Sequence, residues 1–244
     1  MRVAVALTLC LLAPFGIASA EERIDLATRP GITQPVYFTA TPSAVASVIL
    51  FPGGSGVVAA VRNNFLLRVA GQFAAQGFNV AIADAPSDQA NGISQTFRQS
   101  SLQAEDIADI IAMMKGRSPV PVWLVGTSRG SISAANAAAR IGPPRVAGVV
   151  LTSSVWLGGM ASVTLEQIKV PVLEVHNRDD GCRESPFNAT AGGMARMQQA
   201  PVRELLTVSG GSLRSGPCDA LSQHGYYGIE DQVVPPIIAW IKSH

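Results

Sequence analysis

Val122-Trp123-Leu124-Val125-Gly126-Thr127-Ser128-Arg129-Gly130, followed by the small-residue run Ser131 to Ala139, holds the transition that decides the fold. Val120 to Val125 is apolar throughout, as a strand covered on both faces reads. The stretch from about Arg129 to Arg140 reads as a helix of small residues. Between them Gly126 and Gly130 flank Ser128 in the pattern G-x-S-x-G. A strand that passes into a helix within so few residues crowds the serine backbone, so neighbours without side chains are needed. The turn lifts the Ser128 hydroxyl above the sheet, beside the unpaired N–H groups of a helix N-terminus.

The same alternation continues outward. Val45 to Phe51, Phe78 to Ala83, Val146 to Leu151, Val170 to Val175 and Val202 to Val208 read as strands. Helical spacing of apolar residues runs through Phe65–Ala74, through Ile107–Met114 and near Val233–Ile241. From about residue 35 onward, strands and helices therefore alternate. Several strands are apolar on both faces, which predicts a doubly wound, mostly parallel α/β sheet under helices on both sides. No repeat, linker or low-complexity tract interrupts it, so residues 21–244 are expected to form a single domain.

The ends and the composition narrow the function. Met1-Arg2, the apolar run Val3 to Phe15 and Ala18-Ser19-Ala20 have the three parts of a signal peptide over residues 1–20, and export to the periplasm or beyond is expected. The apolar run is too short to span a bilayer, and no later stretch is long enough. Of 18 basic residues Arg2 lies in that leader, so 17 face 17 acidic ones in the remainder. With no basic run besides, nucleic acid and acidic membranes are excluded as partners. A small neutral molecule is the expected partner; oligomeric state is not legible.

A serine hydroxyl needs a positioned base to act as a nucleophile. The chain offers His176, His224 and His244. His244 is the last residue, where fraying is expected, and His176 ends a strand beside a turn, which suits a structural role. His224, in the Gly-rich loop Ser209 to Gly225 before the last helix, is the expected base. A carboxylate must hold its tautomer, and Asp180, just past the strand ending at Val175, is favoured over its neighbour Asp179. The order Ser128, Asp180, His224 is the one such sheets carry. Trp156, Met160, Tyr226 and Tyr227 are candidates to line an acyl pocket, and Arg129 to meet a carboxylate or to pair with Asp84 or Asp88.

Three segments resemble the α/β-hydrolase superfamily, including its small dienelactone-hydrolase-like esterases. Val122 to Gly130 resembles the nucleophile elbow. Val172-Leu-Glu-Val-His-Asn-Arg-Asp-Asp180 resembles the acid segment, with Asn177 where a glycine is usual. Gln223-His224-Gly225 resembles the histidine loop. Pro52-Gly53-Gly54-Ser55-Gly56 stands where the family has its oxyanion loop, with Pro52 in place of a frequent histidine. The resemblance implies a serine esterase whose oxyanion donors are the N–H groups of Arg129 and of Gly54 or Ser55; a peptidase or thioesterase on the same triad, or a non-catalytic binding protein of the same fold, are the alternatives. It also implies an open mouth, because Ser153 to Lys169 is too short for a large lid. No cofactor is implied: no His, Cys and carboxylate cluster has metal-ligand spacing, and no phosphate loop is present.

Cys182 and Cys218 are the two cysteines outside the leader, an even count expected to form a disulfide in an oxidising compartment. Cys182 is two residues from Asp180 and Cys218 six from His224. Such a bridge would limit the drift of the acid loop against the base loop.

Overall fold

Among the described residues eight strands share one sheet, in the order β1 (Glu22–Ala27), β2 (Thr33–Thr39), β4 (Phe78–Ala83), β3 (Ala46–Phe51), β5 (Val122–Thr127), β6 (Gly148–Thr152), β7 (Val172–Asn177), β8 (Arg203–Val208). The structure, a computed structural model, describes residues 20–244; the expected leader therefore lies, but for Ala20, outside the described residues. The central strands are β3, β4, β5, β6, β7 and β8, all parallel. They fall where apolar runs predict them, to within two residues. Strands β1 and β2 are antiparallel additions ahead of the first strand that the pattern reveals.

The apolar strands are explained by two cores. Ile49, Phe51, Leu124, Val149 and Leu151 face one side, under α3 (Ser101–Arg117) and α4 (Arg129–Ile141). Val48, Leu50, Val125, Val150 and Val175 face the other, under α1 (Phe65–Ala75) and α6 (Glu230–Ser243), while α2 (Gln95–Arg98) and α5 (Thr190–Ala195) are short. Successive strand residues thus bury into opposite layers, which removes the polar alternation of a one-sided sheet. Helix α4 lies close on the sheet because Ala134, Ala135, Ala137 and Ala138 are fully buried.

Connections place the functional loops together. The chain moves from β3 outward to β4, then returns to β5 on the other side of β3. The crevice between the carboxyl ends of β3 and β5 is therefore a topological switch point, where sheets of this kind hold ligands. Phe51 and Gly126 are register partners there, so the Gly-rich turn after β3 and the serine turn after β5 are neighbours. Between β6 and β7 lie only two short 3-10 turns, Gly159–Ser162 and Leu165–Gln167, and no large lid. Among the described residues, no helix is long and apolar enough to cross a membrane.

His244, exposed just past the last helix, rests against Trp240. Its ring lies 4.4 Å from that of Trp240 and its Nδ1 is 3.0 Å from the Trp240 carbonyl oxygen.

Candidate active site

Ser128 occupies a backbone conformation that side chains avoid, φ 52° and ψ −127°. The turn is enforced by packing on either side. A Cβ on Gly126 would collide with the carbonyl of Gly130, and one on Gly130 with the carbonyl of Phe51. Both glycines of the motif are therefore sterically required. The Ser128 N–H donates to Thr152 O (2.9 Å), and Ser128 O accepts from Ser131 N and Ser131 Oγ (2.9 and 2.6 Å). Strain of this kind, about 1–3 kcal/mol, persists only where surroundings over-determine it.

His224 and Asp180 arrive from the loops after β8 and β7. His224 Nε2 is 2.8 Å from Ser128 Oγ, and His224 Nδ1 is 2.8 Å from Asp180 Oδ2. The Asp180 side chain is fully buried. It accepts from Cys182 N (2.9 Å) and Ser185 Oγ (3.2 Å) as well as from the imidazole. An acid so placed fixes Nδ1 as the protonated nitrogen and leaves Nε2 to accept from the serine hydroxyl. Asp179 points elsewhere and accepts from Gly210 N (2.6 Å).

The base loop is fastened at several points. Ser153 Oγ donates to His224 O (2.7 Å), and His224 N donates to Ser222 Oγ (3.2 Å). Asn177, which stands where the resemblance leads one to expect glycine, donates from Nδ2 to Gly210 O and Gln223 O (3.0 and 3.2 Å). Arg68 of α1 reaches Ala220 O (3.1 Å) and Gly225 O (2.7 Å) and pairs with Glu230 (2.7 Å). Cys182 and Cys218 are joined in a disulfide that links the acid loop to the base loop.

On the opposite side of Ser128 lies the Gly-rich turn. Gly54 has φ 60°, and Gly53 O accepts from Gly56 N (3.1 Å). In a trans peptide the Gly54 N–H points away from the Gly53 carbonyl. Neither Gly54 N nor Arg129 N donates to a protein group among the described residues. Behind the turn, Arg98 is buried and donates to Ser133 Oγ (2.9 Å) and, more weakly, to Gly54 O (3.4 Å). Burial, with a smaller push from the Arg129 charge, lowers the Arg98 pKa to about 9. The group stays cationic at neutral pH with no carboxylate partner, a positive charge at the back of the turn.

A cleft of about 410 Å³ opens over Ser128 and His224. Its walls are the segments 59–65 and 218–221, with Ala59, Val61, Phe65 and Leu221 as apolar lining and Asn63 and Asn64 as polar lining. This differs from the expected pocket. Tyr226 is fully buried against Phe65, and its hydroxyl donates to Val175 O (2.7 Å). Met160 and Trp156 belong to the α3/α4 core, and Tyr227 lies between Arg68 and Arg214. The Arg129 side chain pairs with Glu184 (3.2 Å) and not with Asp84 or Asp88. Asp84 instead accepts from Val58 N and Ala85 N, and Asp88 pairs with Arg29. The walls were missed because Val57-Val58-Ala59-Ala60-Val61 is an apolar run in neither strand nor helix; its only signal is that mismatch.

Among the described residues no group of three or more His, Cys, Asp or Glu could hold a metal ion. No protein-family model and no curated protein matches the chain. Solved structures do. A dienelactone hydrolase from Anabaena variabilis superposes with a TM-score of 0.66 at 15% identity, over 93% of this chain and 99% of that one. A cold-adapted esterase from an Arctic intertidal metagenomic library gives 0.65 at 13% identity, over 91% and 93%. An alpha-beta serine hydrolase homologue from Coxiella burnetii gives 0.63 at 19% identity, over 89% and 96%. The chain thus has the α/β-hydrolase fold. On that fold, its switch-point crevice holds a serine, a histidine and an aspartate in one hydrogen-bonded line.

Proposed function

We propose that this chain is a serine hydrolase that cleaves small esters outside the cytoplasm. The observation that carries the reading is the unbroken line Ser128 Oγ, His224, Asp180, with both links at 2.8 Å. Ser128 Oγ attacks the ester carbonyl carbon while His224 Nε2 takes the hydroxyl proton. Asp180 orients the imidazole and stabilises its positive charge. The carbonyl oxygen becomes an oxyanion held by the N–H groups of Gly54 and Arg129. Collapse breaks the bond to the alkoxy group, which leaves as the alcohol with the proton from His224. Water, deprotonated by His224, then attacks the acyl-enzyme and releases the acid with Ser128 restored. Each step uses protein groups and water alone.

The substrate class follows from the cleft. Its volume suits a compact ligand, and its walls mix apolar groups with Asn63, Asn64, Ser215 and the charged Arg62 and Asp219. The absence of a large lid favours a substrate that enters from solution over a long lipid chain. The esterase and hydrolase neighbours support the same class. Export is supported by the leader pattern of residues 1–20 and by the Cys182–Cys218 bond.

Turnover of p-nitrophenyl acetate, butyrate and octanoate, alongside thioester and peptide substrates, tests the reading. We expect ester cleavage that is fastest for the short acyl groups and lost by at least about a thousandfold in Ser128→Ala and His224→Ala. Hydrolysis unchanged in Ser128→Ala contradicts it, and preference for peptide or thioester substrates moves the bond class.

A further inference from the structure

Asn64 closes the cleft wall opposite Ser128. Its side chain caps α1: Oδ1 accepts from Leu66 N (3.1 Å). That bond settles which end of the amide is which, because a backbone N–H can only be met by the oxygen. The other end, Nδ2, carries two N–H donors and reaches no acceptor among the described residues. The residue is only 8% exposed, yet it lines the cleft together with Ser128, His224 and Gly54.

Its direction follows from Gly53. A Cβ built on Gly53 would lie 2.8 Å from Ser128 Cβ, 3.0 Å from Thr127 O and 3.4 Å from Asn64 Nδ2. Asn64 Nδ2 and Ser128 Cβ thus border the same space, the one a Gly53 side chain would fill, beside the turn that carries Gly54 N. The N–H donors of Nδ2 open to the cleft, where a ligand oxygen can replace water as their acceptor. Turns hold Asn64 in place: Ala60 N donates to Val57 O (2.9 Å) and Asn64 N to Val61 O (2.7 Å).

We infer that Asn64 Nδ2 is a third, side-chain donor to the oxyanion, completing a hole that the backbone of Gly54 and Arg129 begins. The inference rests on the serine hydrolase reading above. The charge on the carbonyl oxygen grows as Ser128 attacks, so a donor placed there strengthens in the transition state and acts on kcat more than on KM. The cap fixes Oδ1 and so preorganises Nδ2: one side chain both starts α1 and aims its donor.

Asn64→Ser separates the two roles, since serine caps a helix as well as asparagine but its hydroxyl is too short to reach the cleft. Active sites are counted by fluorophosphonate titration, so that kcat refers to folded, reactive protein. For Asn64→Ser we expect kcat on a p-nitrophenyl ester about 10²–10³-fold lower, KM within about threefold, and an unchanged thermal midpoint. Inhibition by an aryl boronic acid, whose tetrahedral adduct carries the negative charge, should weaken in proportion. Asn64→Asp keeps cap and shape but sets a carboxylate where the donor was, and should be slower still. A wild-type protein that labels and turns over, with Asn64→Ser at wild-type kcat per labelled site, overturns this inference alone. A wild-type protein that does neither overturns the reading of the site as well.

Discussion

At Ser128 the backbone is held where side chains are rarely found. A φ of 52° with ψ −127° belongs to the region that glycine enters freely and serine does not. Removing the hydroxyl and removing the strain are therefore separable. Ser128→Gly is expected to unfold at higher urea than Ser128→Ala, by about 1–2 kcal/mol, while both lack activity; equal midpoints would show that the turn stores no strain there. The flanking glycines behave oppositely, since any Cβ meets backbone. Gly130→Ala should lose about 3 kcal/mol or more, read by urea denaturation, because the Phe51 carbonyl has no freedom to retreat from the centre of the sheet. These demands were readable in advance, as G-x-S-x-G between a strand and a helix already implies them. The partners of Arg129 were not, because the reach of a long side chain depends on which loops fold over it. Only the folded chain brings Glu184, fifty-five residues on, beside it.

The elements around the site divide into those that sequence periodicity reveals and those it hides. β3, β5 and β7 are legible because burial on both faces leaves unbroken apolar runs. β2 is harder to see because Pro35 lacks a ladder donor, and the structure places Pro35 outside the register with β4. Loops carry no period at all, so the cleft walls at 59–65 and 218–221 emerge only in three dimensions. The disulfide ties the acid loop to the base loop, while Arg68 ties α1 to the base loop and Asn177 ties the end of β7 to it. Reduction should accordingly lower turnover before it unfolds the chain. We expect at least a tenfold fall in kcat/KM after complete reduction, with the circular dichroism spectrum retained; unchanged turnover would remove the bridge from any role in alignment. Arg68→Ala should show a smaller loss of the same kind, because Ser153, Asn177 and the disulfide still hold the base loop.

For the molecule as a whole, the buried layer behind Asp180 couples stability to pH. His176 Nδ1 is 2.9 Å from Glu174 Oε1, and its Nε2 lies 3.0 Å from Ser185 O, which can only accept. Both residues are fully buried. Burial pulls the His176 pKa down, but the hydrogen bond and charge of Glu174, with the Ser185 carbonyl and the nearby Asp180 charge, outweigh it, and the value stands above that of a free histidine. Burial raises the Glu174 pKa, against the opposing pull of His176. The pair therefore keeps one proton in the folded chain that unfolding releases once the pH exceeds about 6.5, the ordinary histidine value. Its stabilisation is complete below that pH and declines as the pH rises through the folded value, by up to about 1.4 kcal/mol per pH unit. Urea denaturation between pH 6 and 9 should show this slope in the wild-type protein and a flatter one in His176→Gln. Equal slopes would mean that the pair titrates alike in both states. The histidine's structural place was legible from its position at a strand end, but its pairing with Glu174 was not, since a charged residue within an apolar strand does not tell which group it meets.

The central claim is that the hydroxyl of Ser128 is the group made reactive by this arrangement. Reaction with a fluorophosphonate, followed by peptide mass mapping, tests it most directly. One phosphonyl group per chain on the peptide that contains Ser128, absent in Ser128→Ala and strongly slowed in His224→Ala, is the predicted result. Full-length protein that stays unmodified under conditions where a known serine esterase labels completely, or that is modified at another residue, would contradict it.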